Sequence, residues 1–252
     1  MHVIALSTTY ERDTCLQRLL RSFIEQVISP EHRATLVVFN SGTPTTFPPI
    51  ELPDNKEIIL INRTTNLEGQ PFTSVGDKYN TAISLCPIGD IETSMDCDDL
   101  FLPNHLQEGI EGMQRAYSEG KMAYKPKYSY FKGAKGVSLQ ENVFEPSIFV
   151  DFQWVKEKGY FPNSVKFHDC WLLPLIYEGK ILVDPKGKPT FAYDWSGELK
   201  VYKMSGRPDT PENFTMSQAV QGDSGTGITI PMSKERYEKY VKQIEDSCNG
   251  LL

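Results

Sequence analysis

The chain has 252 residues, a formal net charge of −7 and five cysteines, with no Cys-x-x-Cys pair. This length suits one large α/β domain, or a domain with a C-terminal extension, and can bury a core without disulfide staples. The acidic balance argues against a surface built entirely for nucleic acid. The cysteine count and spacing favour a reducing compartment over a disulfide framework or a zinc site. No apolar run reaches the roughly 20 residues of a membrane span, and residues 1–6 form a strand pattern where a signal peptide would lie. We therefore expect a soluble, cytoplasmic protein.

Strands and helices alternate in the first hundred residues. Short apolar runs predict strands at residues 2–6, 35–39, 57–61 and 91–95. One helix is predicted to start at Asp13 or Thr14, to carry an apolar stripe from Leu16 to Val27 and to end at Pro30, and another to span 75–85. This order predicts a mostly parallel sheet flanked by helices, in which ligands bind beyond the carboxyl ends of the strands. The loops after the first, second and fourth strands should therefore converge.

The second half of the chain mixes helices with short strands. A helix is predicted to start at Pro103 and Asn104, and Asp151 is placed to cap another that runs to Lys158. Residues 181–183 and 190–193 have strand patterns, and Asp169 begins a mostly apolar helical stretch. Residues 205–227 have the composition of a loop, and 233–248 have the pattern of an amphipathic helix.

A basic and aromatic stretch covers residues 121–140 and contains no acidic residue. Its members are Lys121, Tyr124, Lys125, Lys127, Tyr128, Tyr130, Phe131, Lys132 and Lys135. One interpretation is a pair of amphipathic strands whose lysines face water. The other is a surface for an anionic or ring-bearing acceptor, because lysines neutralise phosphates and aromatic rings stack on sugars or bases.

Three carboxylates lie within four residues at Asp96, Asp98 and Asp99, directly after the fourth predicted strand. Carboxylates this close repel one another unless a cation lies between them, and oxygen ligands suit Mg²⁺ or Mn²⁺. A solvated turn is the plain alternative, since Asp is common in turns. A calcium-binding loop fits poorly, because the sixth position is Phe101 where that motif needs glycine. The expected convergence of three loops favours a site over a turn.

Several segments, taken in order, are similar to motifs of the family-two glycosyltransferases with the GT-A fold. Thr8-Thr9-Tyr10-Glu11-Arg12 resembles the family's Pro-Thr-Tyr-Asn-Arg opening, and Val37-Val38-Phe39-Asn40-Ser41-Gly42-Thr43 resembles its Val-Val-Asp-Asn-Gly-Ser turn. Val75-Gly76-Asp77-Lys78-Tyr79-Asn80 resembles Gly-x-Lys-Arg-Asn, with tyrosine in place of arginine. Asp96-Cys97-Asp98-Asp99 with Pro103 resembles the Asp-x-Asp-Asp-x-x-x-Pro signature, and His168-Asp169 resembles the Glu-Asp pair of the acceptor-side helix.

The resemblance covers roughly residues 3–197 and implies a fold and a division of the chain. It implies an α/β, GT-A type fold with a mostly parallel, Rossmann-like nucleotide-binding sheet and a smaller acceptor-side region. Residues 1–103 would form the nucleotide-sugar-binding half of a domain that spans 1–200, and 104–200 the acceptor-side half. Residues 201–252 would be a C-terminal loop and helix extension.

The same resemblance implies roles for residues of the nucleotide-binding half. Asp98 would ligate Mn²⁺ or Mg²⁺ on the diphosphate of a nucleotide-sugar donor, and Asp96 would contact the metal or the ribose. The resemblance implies a donor of the UDP class. The remaining implied donor-binding residues are Thr8, Thr9, Tyr10, Arg12, Asn40, Lys78, Asn80, Cys97 and Asp99. Asn40 stands where the family usually has the Asp that reads uracil, and asparagine offers a donor as well as an acceptor.

On the acceptor side, the resemblance implies that Asp169 is the general base that takes the proton from the acceptor hydroxyl. A single base then implies one displacement with inversion at the sugar. His168, Trp171, Lys127, Tyr130 and Trp195 are the expected acceptor-side residues. The family sometimes offers a histidine to the metal near Trp195, and Asp194 is the nearest substitute here.

Three functions remain open on this basis. The first is metal-dependent transfer of a hexose-type sugar from a nucleotide donor to a hydroxyl of a glycan, lipid or protein. The second is the same chemistry on hydroxymethylated bases in DNA, suggested by the basic stretch at 121–140. The third is a nucleotidyltransferase on a similar fold, which would want a glycine-rich loop after the first strand, and residues 7–12 contain no glycine.

Overall fold

The computed structural model describes residues 1–11, 13–73, 75–133, 136–142, 145–158, 175 and 178–194. Some of the residues and segments singled out above lie outside this part of the chain. They are Arg12, His168, Asp169, Trp171, Trp195, the loop predicted at 205–227 and the helix predicted at 233–248.

The described strands and helices follow the predicted alternation. The strands are β1 (His2–Thr9), β2 (Arg33–Asn40), β3 (Lys56–Asn62), β4 (Ile91–Ser94), β5 (Leu100–Phe101), β6 (Ala123–Pro126), β7 (Tyr128–Gly133), β8 (Gly136–Glu141), β9 (Phe149–Asp151), β10 (Ile181–Asp184) and β11 (Phe191–Asp194). The helices are α1 (Asp13–Ile24), α2 (Val75–Leu85), α3 (His105–Ser118) and α4 (Phe152–Lys158), with one 3-10 turn at Glu145–Ser147.

A seven-stranded main sheet has the order β10-β6-β9-β4-β1-β2-β3. β1 lies at the centre of its parallel part, paired with β2 and β4, and β3 continues this part beyond β2. β9 is antiparallel to both of its neighbours, β4 and β6. The mixed α/β architecture with a mostly parallel sheet is the one predicted.

Helices cover both faces of this sheet, which explains why residues 3–6 of the central strand β1 are all apolar. Val3 and Ala5 belong to the core cluster that α1 and α3 complete, whereas Ile4 and Leu6 belong to the cluster on the side of α2 and α4. All four side chains are fully buried. Burying an aliphatic side chain of this size stabilises a fold by roughly 1.5–3 kcal/mol, so both faces of the strand contribute.

Helix α1 is shorter than its apolar pattern predicts. It ends at Ile24, and Val27 is 65% exposed, so Val27 does not extend the buried stripe. The Lys56 ammonium donates to the backbone oxygens of Ile24 and Gln26, and the Gln26 amide donates to Ser22 O at 3.0 Å. These side chains satisfy the carbonyls that a further helical turn would have used, which ends the helix.

A second sheet has the order β5-β11-β7-β8. It packs beside Asp96, Asp98 and Asp99, here called the Asp cluster, since β5 begins at Leu100. The stretch at 121–140 therefore contributes three strands to two sheets and not one pair of strands. Lys125, in β6, is only 7% exposed, and Lys132, in β7, lies 3.7 Å from the Asp194 carboxylate. These two lysines are not displayed to solvent as the strand-pair interpretation expected.

Two glycines in α3 let that helix approach the sheet closely. A Cβ atom at Gly109 would lie 2.0 Å from the Phe149 ring, and one at Gly112 would lie 2.1 Å from the Tyr124 ring. Both rings are buried at 1% exposure or less, so neither has free space to move into. The glycines are therefore required by packing, although glycine is a poor helix former.

We expect Gly112→Ala to destabilise the protein by about 1–3 kcal/mol, because the overpacked core must shift. Helix propensity alone predicts the opposite sign, a gain of about 1 kcal/mol. Urea unfolding measures the difference, with Gln114→Ala, at an exposed position of the same helix, as the control. A stabilised Gly112→Ala variant would show that α3 does not pack against Tyr124 in this way.

His105, the first residue of α3, is buried among aromatic rings. Its centroid lies 4.9 Å from that of Phe101 and 5.0 Å from that of Phe149, and its Nδ1 lies 2.9 Å from Thr190 Oγ1. Burial lowers the pKa of His105 from 6.5 to about 3. The folded protein thus holds this ring neutral at pH values where the unfolded chain would bind a proton.

This pKa difference predicts a loss of stability as the pH falls from 6.5 toward 3. In that window the unfolded state binds one more proton at His105, and each pH unit costs up to about 1.4 kcal/mol. The free energy of unfolding of His105→Asn, relative to wild type, should therefore improve by about 2 kcal/mol between pH 7 and pH 5. His2, whose pKa is also lowered, is present in both proteins and cancels. A difference that is independent of pH would contradict the buried neutral state.

Within the described ranges, no helix is both long enough and apolar enough to cross a membrane. The cysteines of this part, Cys15, Cys86 and Cys97, are buried.

Candidate functional site

The loops that leave β1, β2 and β4 meet at the carboxyl edge of the main sheet, as predicted. Thr9 is paired with Asn40 at the ends of β1 and β2, and Leu6 is paired with Ser94 at the end of β4. Ser41 N donates to Thr9 O at 3.0 Å, which joins the first two loops directly. The Asp cluster is delivered to the same edge, two residues after β4 ends.

The three carboxylates of the Asp cluster point toward one another. One oxygen from each of Asp96, Asp98 and Asp99 lies within 4.8 Å of the others. Asp98 and Asp99 are buried at 7% and 2% exposure, and Asp96 is half-buried. The Tyr79 hydroxyl, from α2, donates to Asp96 Oδ1 at 3.0 Å. This tyrosine replaces the arginine of the family motif, and it fixes one of the three acids.

This donor set fits a hard divalent cation. Mg²⁺ and Ca²⁺ hold oxygen ligands at roughly 2.0–2.6 Å, so two ligands of one ion lie at most about 5 Å apart. The separations within the Asp cluster are in that range, and every donor is a carboxylate oxygen. Asp96, Asp98 and Asp99 are therefore the residues that would hold a metal.

Arg18, from α1, binds the backbone of the Asp cluster. Its Nη2 donates to Asp98 O at 3.0 Å, and its Nε donates to Asp99 O at 3.3 Å. Its Nη1 donates to Asp194 Oδ2 at 2.8 Å, and Asp194 N in turn donates to Asp99 Oδ1 at 3.0 Å. Lys132 adds a second cation 3.7 Å from the same Asp194 oxygen. Asp194, expected to substitute for a metal-binding histidine, is thus engaged in ion pairs.

Arg18 and Lys132 were not predicted to belong to this site. Arg18 and its partner Asp194 are separated by 176 residues, so no local spacing connects them. The only signal was indirect: Arg18 lies between Leu16 and Leu19, on the side of α1 that faces the sheet.

The expected nucleoside-binding residues lie beside the Asp cluster on β1, α2 and their loops. Tyr10 is 58% exposed, and the Lys78 ammonium lies 5.1 Å from its ring centroid. Thr8 and Asn80 are half-buried. The Thr9 hydroxyl is buried and has no hydrogen-bond partner within the described residues, which leaves it free to bind a ligand or water.

Asn40 is buried, and both N–H groups of its side-chain amide form hydrogen bonds. It is 3% exposed, and its Nδ2 donates to Thr43 O at 2.7 Å and to Asn62 Oδ1 at 2.8 Å. Its Oδ1 accepts from Gly42 N at 3.1 Å. These bonds build the turn after β2. They use both Nδ2 hydrogens, so Asn40 would contact a base without losing one of them only through the second lone pair of Oδ1.

Glu11 closes this turn from the side of β1. Its carboxylate accepts from Thr43 N at 2.8 Å and from Thr43 Oγ1 at 2.9 Å, and these bonds lower the pKa of Glu11. A Cβ atom at residue 42 would lie 2.8 Å from the Glu11 carboxylate, so Gly42 is needed for this approach. Glu11 replaces the asparagine of the family motif and keeps an acceptor at that position.

Of the remaining predicted residues, one is buried in the core, two lie on or beside β7, and five lie outside the described residues. Cys97 is 1% exposed and packs in the core, which turns its side chain away from the solvent side of the Asp cluster. Tyr130 is half-buried in β7, and the Lys127 ammonium lies 5.5 Å from the Tyr128 ring centroid. Arg12, His168, Asp169, Trp171 and Trp195 lie outside the described residues, so the structure does not test their roles.

Comparison with models of protein families gave no match. Among curated proteins, the chain is 21% identical over 228 residues to the DM7 family protein GM11958 of Drosophila sechellia. That match covers 82% of this chain and 42% of the relative, so the chain spans about two fifths of that protein.

Solved structures with a similar fold include S. aureus TarS and a mannosyltransferase. S. aureus TarS 1-349 in complex with UDP is 15% identical, with a TM-score of 0.57, over 79% of this chain and 63% of TarS 1-349. The same protein in complex with UDP-GlcNAc gives a TM-score of 0.56 at 15% identity, over 100% of this chain and 72% of that one. The mannosyltransferase PcManGT from Pyrobaculum calidifontis, in complex with GDP-Man and Mn²⁺, is 13% identical with a TM-score of 0.53, over 76% of this chain and 56% of that one. At identities this low, the structural similarity establishes only that this chain shares the GT-A type fold.

Proposed function

We propose that this protein is a metal-dependent glycosyltransferase that transfers a sugar from a nucleoside-diphosphate sugar to an acceptor hydroxyl. The observation that carries the proposal is the cluster of three carboxylates at the carboxyl edge of a GT-A type sheet. The neighbours in complex with UDP, UDP-GlcNAc, or GDP-Man and Mn²⁺ support the class of donor. The Asp-x-Asp motif formed by Asp96 and Asp98 would hold Mn²⁺ or Mg²⁺.

In the proposed mechanism, the residues of the chain bind and orient the donor. Asp98 and Asp96 would hold a divalent metal ion, whose positive charge would neutralise the departing diphosphate. Tyr10 and Lys78, whose ammonium lies 5.1 Å from the Tyr10 ring centroid, would contact the nucleoside and its phosphates. The Thr9 hydroxyl, which has no hydrogen-bond partner within the described residues, would bind the same donor. The Asp99 carboxylate accepts a hydrogen bond from Asp194 N, which fixes the position of the Asp99 side chain.

Proton transfer in this mechanism is assigned to Asp169. Its carboxylate would take the proton from the acceptor hydroxyl as that oxygen attacks the anomeric carbon, and the nucleoside diphosphate would leave from the opposite face. A single displacement of this kind inverts the configuration at the sugar. The family-two membership, the hexosyl character, the inversion and the choice of a UDP-sugar rest on the motif resemblance and belong to the proposal.

The acceptor is proposed to be a hydroxyl of a glycan, lipid or protein. The DNA alternative depended on displayed lysines at 121–140, and the described geometry does not favour it. Lys125 is buried, Lys132 is paired with Asp194, and the Lys121 ammonium donates to Gly179 O at 2.6 Å. The nucleotidyltransferase alternative gains no support from the glycosyltransferase neighbours.

Donor hydrolysis by the purified protein tests the proposal. UDP-glucose, UDP-galactose, UDP-N-acetylglucosamine and GDP-mannose are each incubated with Mn²⁺, with Mg²⁺ and with chelator, and the released nucleoside diphosphate is measured. We expect release from one donor that requires the metal. No release from any donor, together with no metal-dependent nucleotide binding, would refute the proposed activity.

A further inference from the structure

Arg18 joins α1, the turn that carries the Asp cluster, and the end of β11. Its guanidinium, on α1, donates to the backbone oxygens of both Asp98 and Asp99 and to the carboxylate of Asp194, at the end of β11. The Arg18 side chain is 19% exposed and that of Asp194 is 3% exposed, so this ion pair is largely withdrawn from water. Buried, charge-assisted hydrogen bonds of this kind are stronger and more sharply directional than those at a surface.

We propose that Arg18 is a positioning residue, which places the Asp98 carboxylate for metal binding by holding the two peptide groups on either side of Asp99. The proposal rests on the proposed function, since it assigns Arg18 a part in the same metal site. Asp194 is the second member of this arrangement, because its carboxylate orients the guanidinium and its backbone N–H binds Asp99.

The hydrogen bonds around the cluster determine where the Asp98 side chain can point. Asp99 N donates to Asp96 O at 3.2 Å, which closes the turn across Asp98. Arg18 fixes the carbonyl of Asp98 at 3.0 Å, and Asp194 N fixes the side chain of Asp99 at 3.0 Å. The backbone is thereby held on both sides of Asp98.

The geometry requires arginine and not merely a positive charge. Three different nitrogens of one guanidinium serve three acceptors, on Asp98, Asp99 and Asp194. A lysine would bring a single ammonium group on a flexible stem, which can keep the ion pair with Asp194 but cannot reproduce the fork. Arg18→Lys keeps the positive charge but loses the three-nitrogen geometry. It therefore tests whether the position of the Asp cluster depends on that geometry and not on charge alone.

The experiment compares Arg18→Lys, Asp194→Asn and their double variant with the wild type. The measured quantities are the Mn²⁺ dissociation constant, from the electron paramagnetic resonance signal of free Mn²⁺, and the melting temperature in chelator. We expect Arg18→Lys to raise the dissociation constant for Mn²⁺ about tenfold. The double variant should add little beyond the larger single effect, because the two residues act as one unit.

Arg115→Lys is the matched control. Arg115 also donates to two carboxylates, those of Glu108 at 3.1 Å and Asp184 at 3.0 Å, but neither belongs to the Asp cluster. We expect this variant to lower the melting temperature and to bind Mn²⁺ as the wild type does. A purely structural role of Arg18 would give the same result as this control.

The outcomes distinguish this inference from the proposed function. If Arg18→Lys and Asp194→Asn both bind Mn²⁺ within twofold of the wild type, the positioning role is overturned, whether or not the wild type releases nucleoside diphosphate. If their Mn²⁺ affinity falls as expected but no donor is cleaved by the wild type, the positioning role holds and the proposed activity fails. A wild-type protein that does not bind Mn²⁺ overturns both.

Discussion

Asp98→Asn should remove metal-dependent release of the nucleoside diphosphate almost completely. The substitution keeps the size of the side chain and one carbonyl oxygen but removes the negative charge that a divalent ion requires. We expect the Mn²⁺ dissociation constant to rise at least 100-fold and donor release to slow by about 10³-fold, which corresponds to about 4 kcal/mol of lost transition-state stabilisation. Steady-state release assays with the donor chosen by the panel measure the rate.

Unfolding measurements provide an independent reading of the same variant. In chelator, three carboxylates within 4.8 Å of one another repel, so the loss of one charge should not lower the melting temperature. Mn²⁺ should raise the melting temperature of the wild type, because it binds the folded state, and should have little effect on Asp98→Asn.

Asp90→Asn is the control for this prediction. Asp90 lies immediately before β4, at the opposite end of the strand that delivers the Asp cluster, and its carboxylate accepts from His2 N at 2.7 Å. This variant should keep both Mn²⁺ binding and donor release. If Asp98→Asn retained the wild-type rate within threefold, the Asp cluster would not be the metal site.

The fold of residues 1–103 could be predicted from the sequence because its signals are local. The strand β1 is a continuous apolar run, and α2 was predicted with the bounds that it has, Val75–Leu85. The convergence of Thr9, Asn40 and the Asp cluster then follows from the parallel order of the strands, since parallel strands end at one edge.

The features that the sequence did not reveal depend on partners distant in the chain. The end of α1 is set by Lys56, from β3, and not by Pro30. Whether a lysine at 121–140 faces water depends on which sheet its strand joins, and β6 lies in the interior of the main sheet, between β9 and β10. Periodicity reports which side of an element is apolar but not which element covers it.

The roles of single residues follow the same rule. Tyr79 was noted as a departure from the family motif, but its bond to Asp96 appears only once α2 is packed beside the Asp cluster. Asp194 is the nearest substitute for a metal-binding histidine in the motif, and its ion pair with Arg18 appears only once β11 is packed beside α1. A motif thus predicts where a residue lies better than it predicts what the residue binds.

Asp169→Asn should abolish transfer to the acceptor while it leaves the donor site intact. If Asp169 takes the proton of the acceptor hydroxyl, the asparagine variant cannot do so, and a positioned general base contributes about 10²–10⁴-fold to the rate. We expect transfer to fall by that factor, with Mn²⁺ affinity and the KM for the donor unchanged. The rate is measured with the acceptor found in a screen of glycans, lipids and peptides, as sugar incorporated per unit time.

The control for Asp169→Asn is Asp151→Asn, which changes an aspartate that opens a helix for a structural reason. Asp151 caps α4 by accepting from Trp154 N at 2.8 Å, and its second oxygen accepts from the Tyr117 hydroxyl at 2.9 Å. Asparagine caps a helix about as well as aspartate, so this substitution should cost little stability and should leave the transfer rate unchanged. If Asp169 merely caps the predicted helix that follows it, Asp169→Asn will behave like this control and transfer will continue. Loss of transfer in Asp169→Asn alone, with Mn²⁺ binding intact, would assign the proton to Asp169 and separate it from the metal site at Asp98.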